Sequence, residues 1–249
     1  MIGMSDDFTT TRYGEILAAA KLKYRFATFA DCGGEGCVAL WRHDIDFSPH
    51  RALALARMEA DAGVVATYFV QPSARFYNVF EPEIAAIIRE IGRLGHDIGL
   101  HFETETVGHS QELDHERRLV FQAGVLEHLA EKPVNAFSLH NPTTMVGISF
   151  DELQHGGLVN ASHPKWREEF SYCSDSNGIW RFRSLDAMVA DAQITRLYAL
   201  THPEWWQAEP MPPRLRLQRC IDGRKAWLEN YYDALLATNE RPNIGRKEL

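Results

Sequence analysis

The stretch Val38-Ala39-Leu40-Trp41-Arg42-His43-Asp44-Ile45-Asp46-Phe47 decides how the chain is read. Its apolar opening, Val38-Ala39-Leu40, predicts a short buried strand, and two aspartates arrive where that strand ends. Side chains alternate across a strand, so Asp44 and Asp46 share one face while His43 and Ile45 take the other. Carboxylates that close cannot both ionise cheaply: the pair binds a cation, or splits into a protonated and a charged member. An isolated Asp-x-Asp is more often a strand-end turn capping backbone amides. The segments on either side tilt the reading toward a site.

Downstream, Ser48-Pro49 supplies an N-cap and a first-turn proline for a helix through Ala62, which Gly63 stops. Val64 to Val70 predicts the second strand, Glu81-Pro82-Glu83 opens a helix through Arg93, and Asp97 to Phe102 predicts the third strand. A helix over Leu113 to Leu129 and a strand over Val134 to His140 follow, broken by Asn141-Pro142. Less regular strands are expected at Leu158 to Ser162 and Phe170 to Cys173, a clear one at Ile194 to Thr201, and a closing helix from Arg214 to Leu236. Strands alternating with helices imply parallel pairing. Upstream, Tyr13, Ile16, Leu17, Ala20 and Leu22 recur at helical spacing and predict a helix against the barrel floor or rim.

The chain of 249 residues, 45% hydrophobic, is long enough to bury one large core, and α/β barrels of this length form single domains. A net charge of −8 without a Lys/Arg-rich run argues against nucleic acid and anionic membranes as partners. No stretch has transmembrane length and the N-terminus has no signal-peptide core, so cytoplasmic residence is the expectation. The four cysteines lack the paired spacing of a zinc clip and read as reduced thiols. Oligomeric state is not legible.

Asp44 and Asp46, His101, His140, Asp175 and His202 all fall at or just past strand ends. Parallel barrels gather those ends on one face, and several histidines converging with acids favour a site over isolated structural groups. Parity separates His101 from His96, which takes the opposite face and reads as structural, and turns Thr201 outward. Mixed nitrogen and oxygen donors suit zinc or another divalent transition metal, with cobalt and nickel as further options. Such a site suits amide or ester hydrolysis.

Four segments then form a pattern: Arg-His-Asp-Ile-Asp-Phe (42–47), Gly-His-Asp-Ile-Gly-Leu-His (95–101), Ser-Asp-Ser-x-Gly-x-Trp-Arg (174–181) and Leu-Thr-His-Pro-Glu-Trp-Trp (200–206). In order and spacing they resemble the polysaccharide deacetylase family, carbohydrate esterase family four, with its chitooligosaccharide-deacetylase homology domain. The resemblance covers about residues 38–205. It implies a distorted (β/α)7-type barrel in one domain: a helix and Gly-rich turn over 1–37, the motif-bearing barrel over 38–205, and a helix and tail over 206–249.

It further implies a metal-dependent hydrolase that removes acetyl groups from N- or O-acetylated sugars or polysaccharide precursors. By position, Asp44 matches the general base, Asp46 and His101 metal ligands, and His202 the acid that protonates the leaving group. Asp175 and Trp180 are similar to its supporting pair. Glu105 stands where the family has its second motif histidine, so the third ligand is open between Glu105 and His140. The family's third motif has an arginine before a proline, and Phe137 to Pro142 has none.

Two other readings remain. One is a non-catalytic glycan binder of the same fold, with Trp166, Trp180, Trp205 and Trp206 stacking on sugar rings. The other is a nucleotide-sugar glycosyltransferase whose Asp-x-Asp holds a cation against a diphosphate, which leaves the later histidines unexplained.

Overall fold

The structure is a computed structural model that describes residues 6–103, 112–141 and 150–245. Its strands are β1 (Arg25–Ala27), β2 (Val38–Ile45), β3 (Thr67–Val70), β4 (Asp97–Glu103), β5 (Ala136–His140), β6 (Gln154–His155), β7 (Leu158–Asn160), β8 (Ser171–Ser174) and β9 (Arg196–Thr201). Its helices are α1 (Thr10–Lys23), α2 (Pro49–Ala62), α3 (Pro82–Arg93), α4 (Glu112–Ala130), α5 (Lys165–Glu169), α6 (Leu185–Ala190) and α7 (Pro213–Thr238). The strands form one sheet in the order β6-β7-β5-β4-β3-β2-β9-β8. All pairs are parallel except the β6–β7 hairpin. β1, absent from the sequence reading, lies beside the first half of β2, and β3 takes the second half.

The sheet is curled. Four strand steps separate β5 from β9, about 19 Å across a flat sheet at about 4.8 Å per step. Yet His140 at the end of β5 and His202 just past β9 both approach Asp46 Oδ2, at 3.9 and 3.8 Å. Each face of the curl carries its own core. Inside, Phe29, Leu40, Phe69, Trp166 and Tyr198 pack together. Outside, Trp41, Ile45, Tyr68 and Leu100 pack with Leu55, Ile88 and Leu126 from the helices. Within the described residues no pairing joins β6 to β8, so the α/β barrel is distorted and open there. Tyr198 Oη bridges part of the gap by donating to Ala161 O at 2.9 Å.

Local sequence sets the elements that position the site. Ser48 Oγ accepts from Arg51 N to cap α2, and Gly63 closes the helix at φ 70°, a left-handed backbone that glycine adopts without a Cβ clash. At Gly99 on β4 the reason is space: a Cβ there would lie 2.5 Å from the Phe69 ring. β4 therefore lets that ring fill the barrel beneath the aspartates.

The helix α1 starts at the rim, where Thr10 N donates to Gln207 O at 2.8 Å, and lies along the outer flank of the sheet with Tyr13 against Trp41 and Trp206. Leu22, taken as an apolar core position, is 92% exposed because at about 100° per residue it stands on the side of the helix opposite the buried Tyr13, Ile16, Leu17 and Ala20. No helix among the described residues is long and apolar enough to cross a membrane.

Candidate metal centre and active site

β2 presents Leu40, Arg42, Asp44 and Asp46 in succession to the barrel interior. The Arg42 guanidinium donates from Nε and Nη2 to the two Asp44 oxygens, both at 2.7 Å, and from Nη1 to Tyr198 Oη at 2.5 Å. It also lies over the Phe69 ring, 5.0 Å from the centroid. Burial alone would raise the Asp44 carboxyl, but Arg42 more than offsets it and holds the group below the ordinary carboxylate range. Sequence reading missed Arg42. Its parity with Asp44, two residues apart on one strand, was the signal that could have found it.

Asp46, one pleat further on, meets three imidazoles. His101 Nε2 lies 3.2 Å from Oδ1, and the Nε2 atoms of His140 and His202 approach Oδ2. Burial pushes the Asp46 carboxyl up, and the close approach of His101, with His202 and His140 beyond it, outweighs that, leaving it well below its ordinary value.

The other ring nitrogens are engaged. His101 Nδ1 bonds Ser138 Oγ at 2.7 Å, His140 Nδ1 bonds Glu103 Oε2 at 2.7 Å, and Gln71 Nε2 donates to that same Glu103 oxygen at 2.9 Å. Partners of this kind fix ring orientation and raise ligand basicity. Glu103 and Gln71 were also missed, being legible only once β3, β4 and β5 are in register.

Asp46, His101 and His140 each offer a ligand atom, all within 4.8 Å of one another. At metal–ligand distances of about 2.1 Å, tetrahedral donors stand about 3.4 Å apart, which the 3.2 and 3.9 Å separations from Asp46 bracket. Asp46 Oδ1 is buried without a hydrogen bond. One carboxylate and two imidazoles, with an oxygen lacking a donor, fit a divalent transition metal. Of the two candidates for the third position, His140 belongs to this group, and Glu105 lies outside the described residues.

His202, across from that group, is held by Asp175: Nδ1 bonds Oδ1 at 2.7 Å, and the His202 backbone N–H donates to both carboxylate oxygens. Burial alone would lower the imidazole, and the Asp175 carboxylate reverses this and keeps it well above its ordinary value. Its Nε2 is directed at the site, 3.8 Å from Asp46 Oδ2. Burial raises Asp175 itself, against the His202 charge. Trp180, read as supporting this pair, stacks on Phe8 with ring centroids 5.0 Å apart.

Three tryptophans offered for sugar stacking are buried: Trp166 at 3%, Trp205 at 7% and Trp206 at 0% exposure. Trp166 donates to Asn160 O inside the barrel. Wide rings fill core space here, and only the partly buried Trp180 keeps an open edge.

Behind β2 lies a sealed polar cluster. Glu59 of α2 accepts from Tyr13 Oη and from Tyr68 Oη at 2.6 Å and bonds His43 Nε2 at 2.6 Å, while His43 Nδ1 bonds the outward Thr201 Oγ1 at 2.7 Å. His96 joins from the same side, bonded to Ala56 O and Ala66 N. This cluster pins α1 and α2 to β2 and so fixes where Asp44 and Asp46 stand.

No protein-family model matches the sequence, and no curated protein matches it. Solved structures do. A family 4 carbohydrate esterase from Streptomyces lividans, in complex with acetate, is 13% identical over 77% of this chain and 91% of its own, with a TM-score of 0.46. A family 4 acetyl xylan esterase from Clostridium thermocellum, in complex with a cobalt ion, is 16% identical over 82% and 92%, with a TM-score of 0.39. A family 4 pseudoenzyme from Bacillus anthracis is 12% identical over 76% of this chain, with a TM-score of 0.44, and the chain spans 60% of its length.

Proposed function

We propose that the chain is a divergent relative of the polysaccharide deacetylases, a metal-dependent hydrolase that removes an acetyl group from an N- or O-acetylated sugar or glycan. The observation that carries the reading is the triangle of Asp46, His101 and His140, flanked on one side by Asp44 on Arg42 and on the other by His202 on Asp175. A divalent ion, zinc or alternatively cobalt or nickel, would be held by Asp46, His101 and His140 and, when bound, supplies Lewis acidity to the acetyl carbonyl and acidity to water.

The protein's own groups do the rest. Asp44, ionised and oriented by Arg42, takes the proton from the attacking water. His202, protonated and aimed by Asp175, gives one from Nε2 to the departing nitrogen or oxygen.

One feature favours a non-catalytic glycan binder: both Asp44 oxygens are committed to Arg42, as in a structural ion pair. Against it, the Asp175–His202 pairing delivers a proton donor that binding does not need. The same Arg42 clamp leaves Asp44 poorly placed as a second cation ligand, which a nucleotide-sugar Asp-x-Asp requires.

Elemental mass spectrometry of the purified protein, with Asp46→Ala and His101→Ala beside it, is the test. Near-stoichiometric transition metal lost in both variants, and acetate release from acetylated sugars lost in Asp44→Ala, are expected. Absence of metal after incubation with zinc, or acetate release retained in Asp44→Ala, would overturn the assignment.

A further inference from the structure

A cavity of about 340 Å³ lies beside the aspartates, and neither Asp44 nor Asp46 lines it. Its near wall is shared with the site: Phe47 and Ser48 directly follow Asp46, and Tyr77, also lining it, donates from Oη to Ile45 O at 2.7 Å. Phe47 and Phe76 pack with ring centroids 4.2 Å apart, and Trp227 of α7 closes the far side. α7 is held there by Arg224, which donates to both Glu81 oxygens at 2.7 and 2.5 Å, and by Trp227 Nε1 donating to Glu83 at 2.7 Å.

The charges around this cavity do not cancel. Arg224 is matched by Glu81, and Glu83 is engaged by His50 and Trp227. Arg51 and Arg219 both line the cavity, and neither has a carboxylate partner among the described residues. Arg51 gives one N–H to Trp206 O, and its Nε is buried without a partner. Burial lowers the Arg51 guanidinium, Cys220 opposes this, and Arg219, which lines the same cavity, lowers it further. The first turn of α2, Ser48 to His50, opens on the same cavity and adds the positive end of its dipole. In a chain of net charge −8, an unneutralised guanidinium pair at a helix start, walled by aromatic rings, is built for an anion attached to an apolar body.

We propose that this cavity is a substrate subsite for a phosphate or phosphodiester group, with Arg51 and Arg219 binding the oxygens and the Phe47, Phe76 and Trp227 rings taking the apolar part beside it. Two guanidiniums and a helix terminus favour a dianion over a single carboxylate. As a part of catalysis the subsite rests on the deacetylase reading of the neighbouring centre, whereas its binding does not. The substrate would then be an acetylated sugar carrying a phosphate.

Isothermal titration compares inorganic phosphate, N-acetylglucosamine, its 1-phosphate and the carboxylated N-acetylmuramic acid. The 1-phosphate is expected to bind at least about tenfold more tightly than the plain sugar. Arg219→Glu, on an exposed position of α7, should abolish that preference, and Arg219→Lys should keep part of it. Equal affinities for the sugar with and without phosphate, a preference that survives Arg219→Glu, or tighter binding of the carboxylated sugar would each overturn the proposal. Metal content and acetate release are read separately. A phosphate preference without either would refute the deacetylase and leave the subsite supported.

Discussion

Replacing Arg42 by methionine keeps the aliphatic stem and removes the guanidinium from a pair whose side chains are 5% and 4% exposed. Asp44 would be left as a buried carboxylate with neither oxygen paired to the guanidinium, and Tyr198 Oη would lose a donor. Removing one partner of a buried ion pair costs about 3–5 kcal/mol, because the remaining charge stays desolvated. For a chain of 249 residues, at about 2–4 °C per kcal/mol, that is a fall in Tm of roughly 6–20 °C. Urea unfolding of EDTA-treated protein measures the effect without metal linkage. The double variant Arg42→Met/Asp44→Asn removes both charges, and it should recover enough to give a coupling energy of about 2 kcal/mol or more. A single variant within about 1 kcal/mol of the parent, or a double variant that loses the sum of the two singles, would refute the claim that Arg42 neutralises Asp44.

Three further outcomes are expected. Glu103→Gln should weaken zinc binding by about 10–100-fold by loosening His140, and His140→Ala should weaken it further, both read by competition with a chromogenic chelator. Glu59→Gln should destabilise the protein at neutral pH: burial raises that carboxyl, but the His43 charge more than offsets it, so the folded value lies below the ordinary 4.5. The Glu59 contribution is then complete above 4.5 and lost as pH falls through the lower folded value, so parent and variant should converge in acid, which urea titrations at several pH values would show. Gly99→Ala should cost about 1–3 kcal/mol through the clash with Phe69, and Phe69→Leu in the same chain should return part of it if the ring is what the Cβ meets.

Strand parity made most of the candidate centre legible, because it is local: Asp44 with Asp46, His101 apart from His96, and Ser138 with His140 follow from counting residues. The groups that orient them were not. Glu59 reaches His43 from a helix, Glu103 reaches His140 across a strand pair, and Gln71 joins from the end of β3. Each contact depends on register between strands, which no single segment encodes. Burial of the tryptophans was hidden for a related reason. A ring such as Trp166 has the same sequence signature whether it faces a ligand or fills the open side of a barrel. β1 was hidden by its brevity, three residues ahead of a Gly-rich turn.

Arg42 links the strongest sequence signal to the clearest departure from the family pattern. The resemblance calls for an arginine before Pro142, and the segment Phe137 to His140 brings Ser138 and His140 to the centre in its place. Inside the barrel the guanidinium next to Asp44 comes from the same strand, two residues earlier, and so needs no other segment to be placed. The β5 end carries His140, supported by Glu103, into the group with Asp46 and His101. In the proposed centre the cation beside Asp44 is thus provided locally on β2, and the third donor nitrogen by β5.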